Sequence, residues 1–525
     1  MIARNGTIAG KREWIGLGVL ALACVLYSMD LTVLHLAVPS LSADLTPSSA
    51  QLLWIVDIYG FILAGSLITM GTLGDRIGRR RLLLVGAAAF GIASLLAAFS
   101  TSAEMLIAAR ALLGLAGATL APSTLSLIRT MFEDPRQRTV AIGVWITSFS
   151  AGAVIGPPMG GVLLDYFWWG SVFLLAVPVM AVLLVLGPVL LPEYRDPDAR
   201  RFDLGSAALS LAAILAVVYG LKQLAHAGPD WPPALWILAG LAVGVVFVRR
   251  QRTMADPLID PQLFRMPGFS ASLGAYLLAT FLVFAAFLFI FQYLQLVRGL
   301  APLEAALWAV PSGAAFIVGS MLTSMIVRRT RPAYVMGSGM AAAAAGFWLL
   351  AQVDMDSGLA LLVTASVVFS LGAAPVFVLA TDLIVGIAPP ERAGAAAAIS
   401  ETGSELGGAL GIAILGSIGA AIYRGRLADS VPAGVPPDQA DAARETLGGA
   451  AAVAEQLPPP LSSELLDAAR DAFTDGIQTA ALTSAAIAAG TAVLVVVLLR
   501  RTRADSLQED HTVLAPGQAA DPARP

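Results

Sequence analysis

The chain has 525 residues, 57% of them hydrophobic and 13% charged, where a soluble domain would carry about 25% charged residues. A net charge of -4 without a long basic run gives nucleic acid nothing to bind, and the single cysteine, Cys24, excludes an internal disulfide and a cysteine metal cluster. The main solvent of such a chain is lipid.

Apolar stretches long enough to cross about 30 Å of hydrocarbon follow one another from the N-terminus. The basic start (Arg4, Lys11, Arg12) leads into residues 14–36, too long for a signal core and interrupted by Asp30, so a retained first span is expected. Spans 2 to 6 are expected at 51–70, 82–100, 104–127, 140–163 and 171–192, and spans 7 and 8 at 205–225 and 233–249. Six more fall at 270–294, 303–327, 333–352, 358–385, 395–421 and 475–499, which makes fourteen. Only helices satisfy their own backbone polar groups within segments of this length in lipid. The fold class expected is therefore an all-α membrane protein.

Arginine placement orients the spans. With both termini inside, the inner segments hold Arg76, Arg79, Arg80 and Arg81, then Arg129, Arg136 and Arg138, then Arg195, Arg200 and Arg201. Arg249, Arg250, Arg252 and Arg265 come next, followed by Arg328, Arg329 and Arg331, then Arg392, and finally Arg500, Arg501 and Arg503. The short outer loops contain almost nothing basic except Arg298, so the positive-inside rule is obeyed along the chain. Residues 422–474 form a long polar outer segment, in which Ser462–Phe473 suits a short amphipathic helix or hairpin.

The chemistry lies inside the spans. Asp30, Asp57, Glu401 and Glu405 are carboxylates at membrane depth, each costing about 2.5–3.5 kcal/mol to insert. Desolvation favours the neutral form of a carboxyl group, so such a group can load and release a proton, and it binds either H+ or a cation. Glu401 and Glu405 stand one turn apart on one helix face. Arg110, several residues inside span 4, is equally expensive and calls for a partner. Trp54, Tyr59 and the phenylalanines of span 9 (Phe281, Phe284, Phe287, Phe291) offer cation–π and apolar surface.

Five local patterns carry a resemblance. After span 2 stands Gly71-x-Leu73-x-Asp75-Arg76-x-Gly78-Arg79-Arg80, and in span 4 Leu106-x-x-x-Arg110-x-x-x-Gly114-x-x-Gly117. Span 5 has Gly152-x-x-x-Gly156-Pro157-Pro158-Met159-Gly160-Gly161, in which small residues permit close helix contact and proline bends the span. Span 1 has Asp30-x-Thr32-x-x-x-x-Ala37-x-Pro39, and span 13 has Glu401-Thr-Gly-Ser-Glu405-Leu-Gly407-Gly408-Ala-Leu-Gly411. Over nearly its whole length the chain resembles the major facilitator superfamily, and within it the fourteen-span drug:proton antiporters of the QacA/LfrA-like branch. It departs from many relatives at Phe167-Trp-Trp-Gly170, which lacks the following arginine, at Ala176-Val-Pro178, and in span 10, whose only acid, Glu304, sits at the outer end. The last departure leaves divalent cations open.

The resemblance implies two six-helix bundles with two extra central helices. Residues 1–200 would form the first bundle and 201–265 the extra pair. Residues 266–525 would form the second bundle, with outer loop 422–474 and inner tail 500–525. It implies a gating motif at Gly71, Asp75, Arg76, Gly78 and Arg79, and an antiporter motif at Gly152, Gly156, Pro157, Gly160 and Gly161 that marks export. Asp30, Glu405 and Arg110 are assigned to proton coupling; Asp57, Glu401, Trp54, Tyr59, Phe284 and Phe287 to the substrate. The function expected is proton-coupled efflux of lipophilic cations: quaternary ammonium compounds, dyes such as ethidium, and fluoroquinolones. Export of an endogenous amphiphile, a lipid or a self-made antibiotic, is the alternative. A membrane-embedded enzyme or sensor is remote, since His35, His226 and His511 are scattered and form no nucleophile or metal constellation. Neither Lys11 nor Lys222 sits in a phosphate-binding loop, so ATP drive is disfavoured. No cofactor or metal is expected. The partners expected are a cationic or amphiphilic small molecule, protons and the bilayer of a bacterial inner membrane, with the protein acting as a monomer.

Overall fold

The computed structural model describes residues 8–193, 203–227, 231–254, 257, 263–327, 329–387 and 393–500, and among these all regular structure is helical. The first half of the chain forms α1 (Lys11–Leu45), α2 (Ser49–Ile77), α3 (Arg79–Ala98), α4 (Ala103–Gly117), α5 (Leu120–Met131), α6 (Pro135–Tyr166), α7 (Ser171–Leu174) and α8 (Ala176–Leu190). A hairpin of α9 (Leu204–Ala227) and α10 (Trp231–Thr253) follows. The second half forms α11 (Pro267–Gln292, extended by a π-turn at Tyr293–Val297), α12 (Pro302–Ile326), α13 (Pro332–Leu350) and α14 (Leu359–Ile387). It ends with α15 (Ala393–Ser430), α16 (Pro437–Glu445), α17 (Leu447–Ala454) and α18 (Pro459–Leu499).

Local sequence places the helix starts. Ser48 accepts from the Gln51 amide, Ser102 from Met105 and Asp134 from Gln137, each satisfying a donor that a helix N-terminus leaves open. Proline opens α6, α11, α12, α13, α16 and α18, where its missing N–H is not needed.

Among the described residues twelve helical segments are long and apolar enough to cross a membrane, by length and composition. At the two other expected positions stand α6 and α9, of 32 and 24 residues, whose apolar runs are the shorter Val140–Phe149 and Gly205–Gly220. Predicted spans 4 and 6 are each two helices, α4 with α5 and α7 with α8.

Each half has its own apolar core, one drawn mainly from α1 to α8 with Leu288 and Ile412 of the second half, the other mainly from α11 to α18 with Leu36 of the first. A third small cluster, Phe61, Val218, Ala409 and Ala413, joins α2, α9 and α15, so α9 packs against both halves. The far side of α10 is bare: Leu235, Leu238, Leu241 and Val245 are all more than half exposed. An apolar surface of that kind suits lipid rather than water.

The segment at 422–474 is more ordered than a polar loop. Helix α15 runs on to Ser430, Ser462–Phe473 is the first part of the unbroken α18, and α16 and α17 cap the space between. Tyr423 donates to the Ala443 carbonyl at 2.7 Å, and Arg426 pairs with Asp475 at 2.9 Å. The cap also grips the first half. The Ser49 amide donates to Glu445 Oε2 at 3.0 Å, the Ser49 hydroxyl bonds to the Glu445 carbonyl, and Gly448 lies against Ser42. Nearby, Gln295 donates to the Leu36 carbonyl at 3.0 Å. These contacts join the halves at the end remote from the start of α1. The tail 501–525 and Arg195, Arg200, Arg201, Arg328 and Arg392 lie outside the described residues.

Candidate functional site

Glycine on α4 sets the site. A Cβ on Gly114 would stand 2.5 Å from the Tyr59 carbonyl oxygen, and one on Gly117 would meet the Tyr59 hydroxyl at 3.1 Å. Without side chains there, α4 lies directly on α2. That approach delivers Arg110, only 2% exposed, to the α2 backbone. Its Nε donates to the Ile55 carbonyl at 3.2 Å, its Nη2 to that of Val56 at 3.3 Å, and its Nη1 to Asp30 Oδ2 at 2.9 Å. The guanidinium also lies 4.7 Å from the centroid of the Tyr59 ring. Arg110 is thus buried and partnered rather than reaching to the membrane surface, and it ties α1, α2 and α4 together.

Two cavities flank this clamp. One lies on the Asp30 side between α1, α7 and α8, lined by Met29, Val33, Val172 and Phe173. The other lies between the halves, lined by His35, Asp57, Tyr59, Arg110, Phe284 and Glu405 among others. It takes walls from α1, α2, α4, α11 and α15, and Asp57 within it is 1% exposed.

The second half brings its carboxylates by the same use of glycine. A Cβ on Gly407 would sit 2.4 Å from the Leu277 carbonyl, and one on Gly411 2.0 Å from that of Phe281. Helix α15 therefore rides directly on α11, and Gly408 leaves room for the Phe284 ring. Glu405 is buried, and Tyr27 of α1 donates to its Oε1 at 3.1 Å, a hydrogen bond between the halves. Glu401, half-buried one turn earlier, stands within electrostatic reach of Cys24, Tyr27 and Tyr276.

Most of the predicted residues converge. Asp30 and Arg110 are paired, and Arg110 shares the central cavity with Asp57, Tyr59, Phe284 and Glu405. Trp54 packs beside the cluster of Phe61, Val218, Ala409 and Ala413. Phe287 does not join the cavity. One turn beyond Phe284 and rotated from it, Phe287 stacks on Phe291 and meets Phe369 edge-on in the core of the second half, where Phe281 is also buried.

Tyr27 and His35 were not singled out from the sequence. An ionisable histidine inside a span was the available signal for His35; nothing local marks Tyr27, whose partner lies 378 residues away. An aromatic ladder was missed as well. The Trp145 indole donates to Thr124 Oγ1 at 3.0 Å, and the Trp145 ring meets Phe149, which meets Tyr27.

The two remaining motifs have clear geometry. Gly78 ends α2 at φ +111° and faces Glu193 so closely that a Cβ would lie 2.4 Å from Oε1. The Arg80 amide donates to Glu193 at 3.2 Å, and its guanidinium donates to the Leu191 carbonyl at 3.0 Å. The motif is thereby pinned to the end of α8, a partner the sequence did not suggest. Arg79 is buried near Gly74, Gly71 faces Pro122, Arg76 is exposed, and the side chain of Asp75 lies outside the described residues. On α6, a Cβ on Gly152 would stand 2.2 Å from the Val25 carbonyl, and those on Gly156 and Gly160 would meet Thr32 and Val33 of α1. Gly161 instead faces Leu303 of α12, in the other half. Pro157 and Pro158 lie within the same helix.

Comparison with known proteins agrees with this architecture. The family model for the Major Facilitator Superfamily matches residues 20–412. The chain is 44% identical over 490 residues to the multidrug efflux pump LfrA of Mycolicibacterium smegmatis, covering 93% of this chain and 97% of that protein. It is 36% identical over 463 residues to the methyl viologen resistance protein SmvA of Salmonella typhimurium, covering 88% of this chain and 93% of the other. Among solved structures, a bacterial homolog of the human lysosomal transporter Spinster, inward-facing and unoccupied, aligns with a TM-score of 0.65 at 17% identity. The alignment covers 94% of this chain and 98% of that one, and it speaks to the fold alone.

Proposed function

Because the chain belongs to the major facilitator superfamily, a family of membrane transporters, we propose that it is a proton-coupled antiporter exporting lipophilic cations from the cytoplasm. The observation that carries this reading is the cavity between the halves, in which the buried acids Asp57 and Glu405 share walls with Tyr59 and Phe284. Carboxylates at membrane depth are expensive, and here they meet aromatic faces that attract cations. The similarity to LfrA and SmvA, whose names speak of multidrug efflux and methyl viologen resistance, supports the same substrate class.

In this reading Asp30 and Glu405 exchange protons, with Arg110 releasing or holding Asp30. Asp57 and Glu401 attract the substrate cation, with Tyr59 and Phe284 along its flat face and Trp54 and Phe287 supporting from behind. The Gly78–Arg80 junction stiffens the inner gate, and the glycine stripe of α6 keeps α1 close enough to move with it. The chain crosses the inner membrane fourteen times with both termini cytoplasmic, as two six-helix bundles flanking the α9–α10 hairpin. The functional unit in this reading is a monomer.

The test is efflux of ethidium or a quaternary ammonium compound in inverted vesicles, with and without a proton ionophore. Ionophore-sensitive flux is expected; its absence for every cationic dye tried removes the reading.

A further inference from the structure

His35 has no part in the mechanism so far, yet its surroundings are unusual. It lies on α1, is 4% exposed, and lines the central cavity. Its Nδ1 is buried with no hydrogen-bond partner among the described residues. Buried polar atoms are almost always hydrogen-bonded, and an exception asks for an explanation. We propose that His35 carries the proton between the two carboxylates of the cavity, Glu405 of the second half and Asp57 of the first. The inference rests on the antiport reading above and goes beyond it by naming the relay.

The chemistry of imidazole suits the position. A neutral ring has one donor and one acceptor nitrogen, so it takes a proton at one face and releases one at the other. The step balances simply. An O–H bond of the Glu405 carboxylic acid breaks as an N–H bond forms on His35, which leaves Glu405 as a carboxylate. The imidazolium then gives a proton to Asp57. The charged groups around the ring set the condition for transfer. Arg110 from α4, Asp57 from α2 and Glu405 from α15 are the charged groups that share the cavity with the ring. Asp30, on α1 itself, is already matched to Arg110, and α11 contributes Phe284 without charge.

The experiment uses the full chain in proteoliposomes, as wild type, His35→Gln and His35→Asn. Both variants keep a polar side chain that hydrogen-bonds but carries no proton. Ethidium export driven by an imposed pH gradient is compared with ethidium counterflow, which needs no proton movement. Gradient-driven export is expected to fall at least about tenfold, at the low end of what acid–base groups contribute, while counterflow stays near wild type. Export that persists in both variants, with an unchanged pH profile, overturns the relay. So does a parallel loss of export and counterflow in both, because that marks a packing role. A wild-type chain that moves ethidium in neither assay overturns the antiport reading itself, and the wild-type lane alone reveals it.

Discussion

Tyr27 on α1 donates a hydrogen bond to Glu405 on α15 at 3.1 Å, and this bond links the two halves of the molecule beside the central cavity. In the proposed antiport cycle, alternating access breaks this bond and re-forms it. Tyr27→Phe removes the hydroxyl and little else. A hydrogen bond contributes about 0.5–1.5 kcal/mol net, so the dye export rate is expected to change by roughly two- to tenfold, with normal expression. An unchanged rate in inverted vesicles would show that this bond does not take part in turnover.

The Arg110–Asp30 pair yields a double-mutant cycle. Removing one partner of a buried ion pair costs about 3–5 kcal/mol, because the other charge is left stranded. Asp30→Asn and Arg110→Gln are each expected to lower the melting temperature in detergent, and the double variant to recover part of the loss. Export driven by a pH gradient should stay absent in all three. Export in Asp30→Asn at the wild-type rate would remove Asp30 from proton coupling.

Helix α6 supplies a paired test of packing. Gly152→Ala places a methyl group 2.2 Å from the Val25 carbonyl, whereas Gly143→Ala on the same helix meets nothing within 4 Å. Overpacking costs about 1–3 kcal/mol, so the first variant should melt lower and export poorly. The second gains helix propensity worth up to about 1 kcal/mol and should melt at or above wild type. Equal melting temperatures would refute the close α1–α6 contact.

At the base of the extra hairpin, Asp203 caps α9 through the Ser206 amide and takes two hydrogen bonds from Arg250, at 3.0 and 3.3 Å. Burial works against its charge, but the bonds from Arg250 and Ser206 win and hold its pKa down at about 2. A depressed acid pKa contributes stability above the ordinary value of 3.8 and loses it as pH falls through about 2. Asp203→Asn is therefore expected to melt slightly below wild type from neutral pH down to about 4, since exposed pairs contribute about 1 kcal/mol or less. The gap should close toward pH 2. A gap that stays constant over that range would exclude the ionised carboxylate as its cause.

Much of this protein could be read before its fold was known. Hydropathy placed a helix at each expected span because lipid forces each crossing segment to satisfy its own backbone within itself. The acids at Asp30, Asp57, Glu401 and Glu405 stood out because charge at membrane depth is too costly to be incidental. The sequence also marked Arg110 as needing a partner, and the glycines of α6 as contact points.

Other features depended on which helices meet. Among the described residues twelve segments satisfy length and composition alone, and α9 is seated between the halves by its contacts with Phe61 of α2 and Ala409 and Ala413 of α15. The choice of Asp30 for Arg110, the sharing of one cavity by Asp57 and Glu405, and the exclusion of Phe287 from it all follow from helix rotation and contact, which no local pattern encodes. The same holds for the bond between Tyr27 and Glu405, whose residues are remote in the chain, and for the cap that seats Glu445 on Ser49. Local sequence determined the helices and the charges they carry; only tertiary packing, through glycines that let backbones touch, decided which charges face one another.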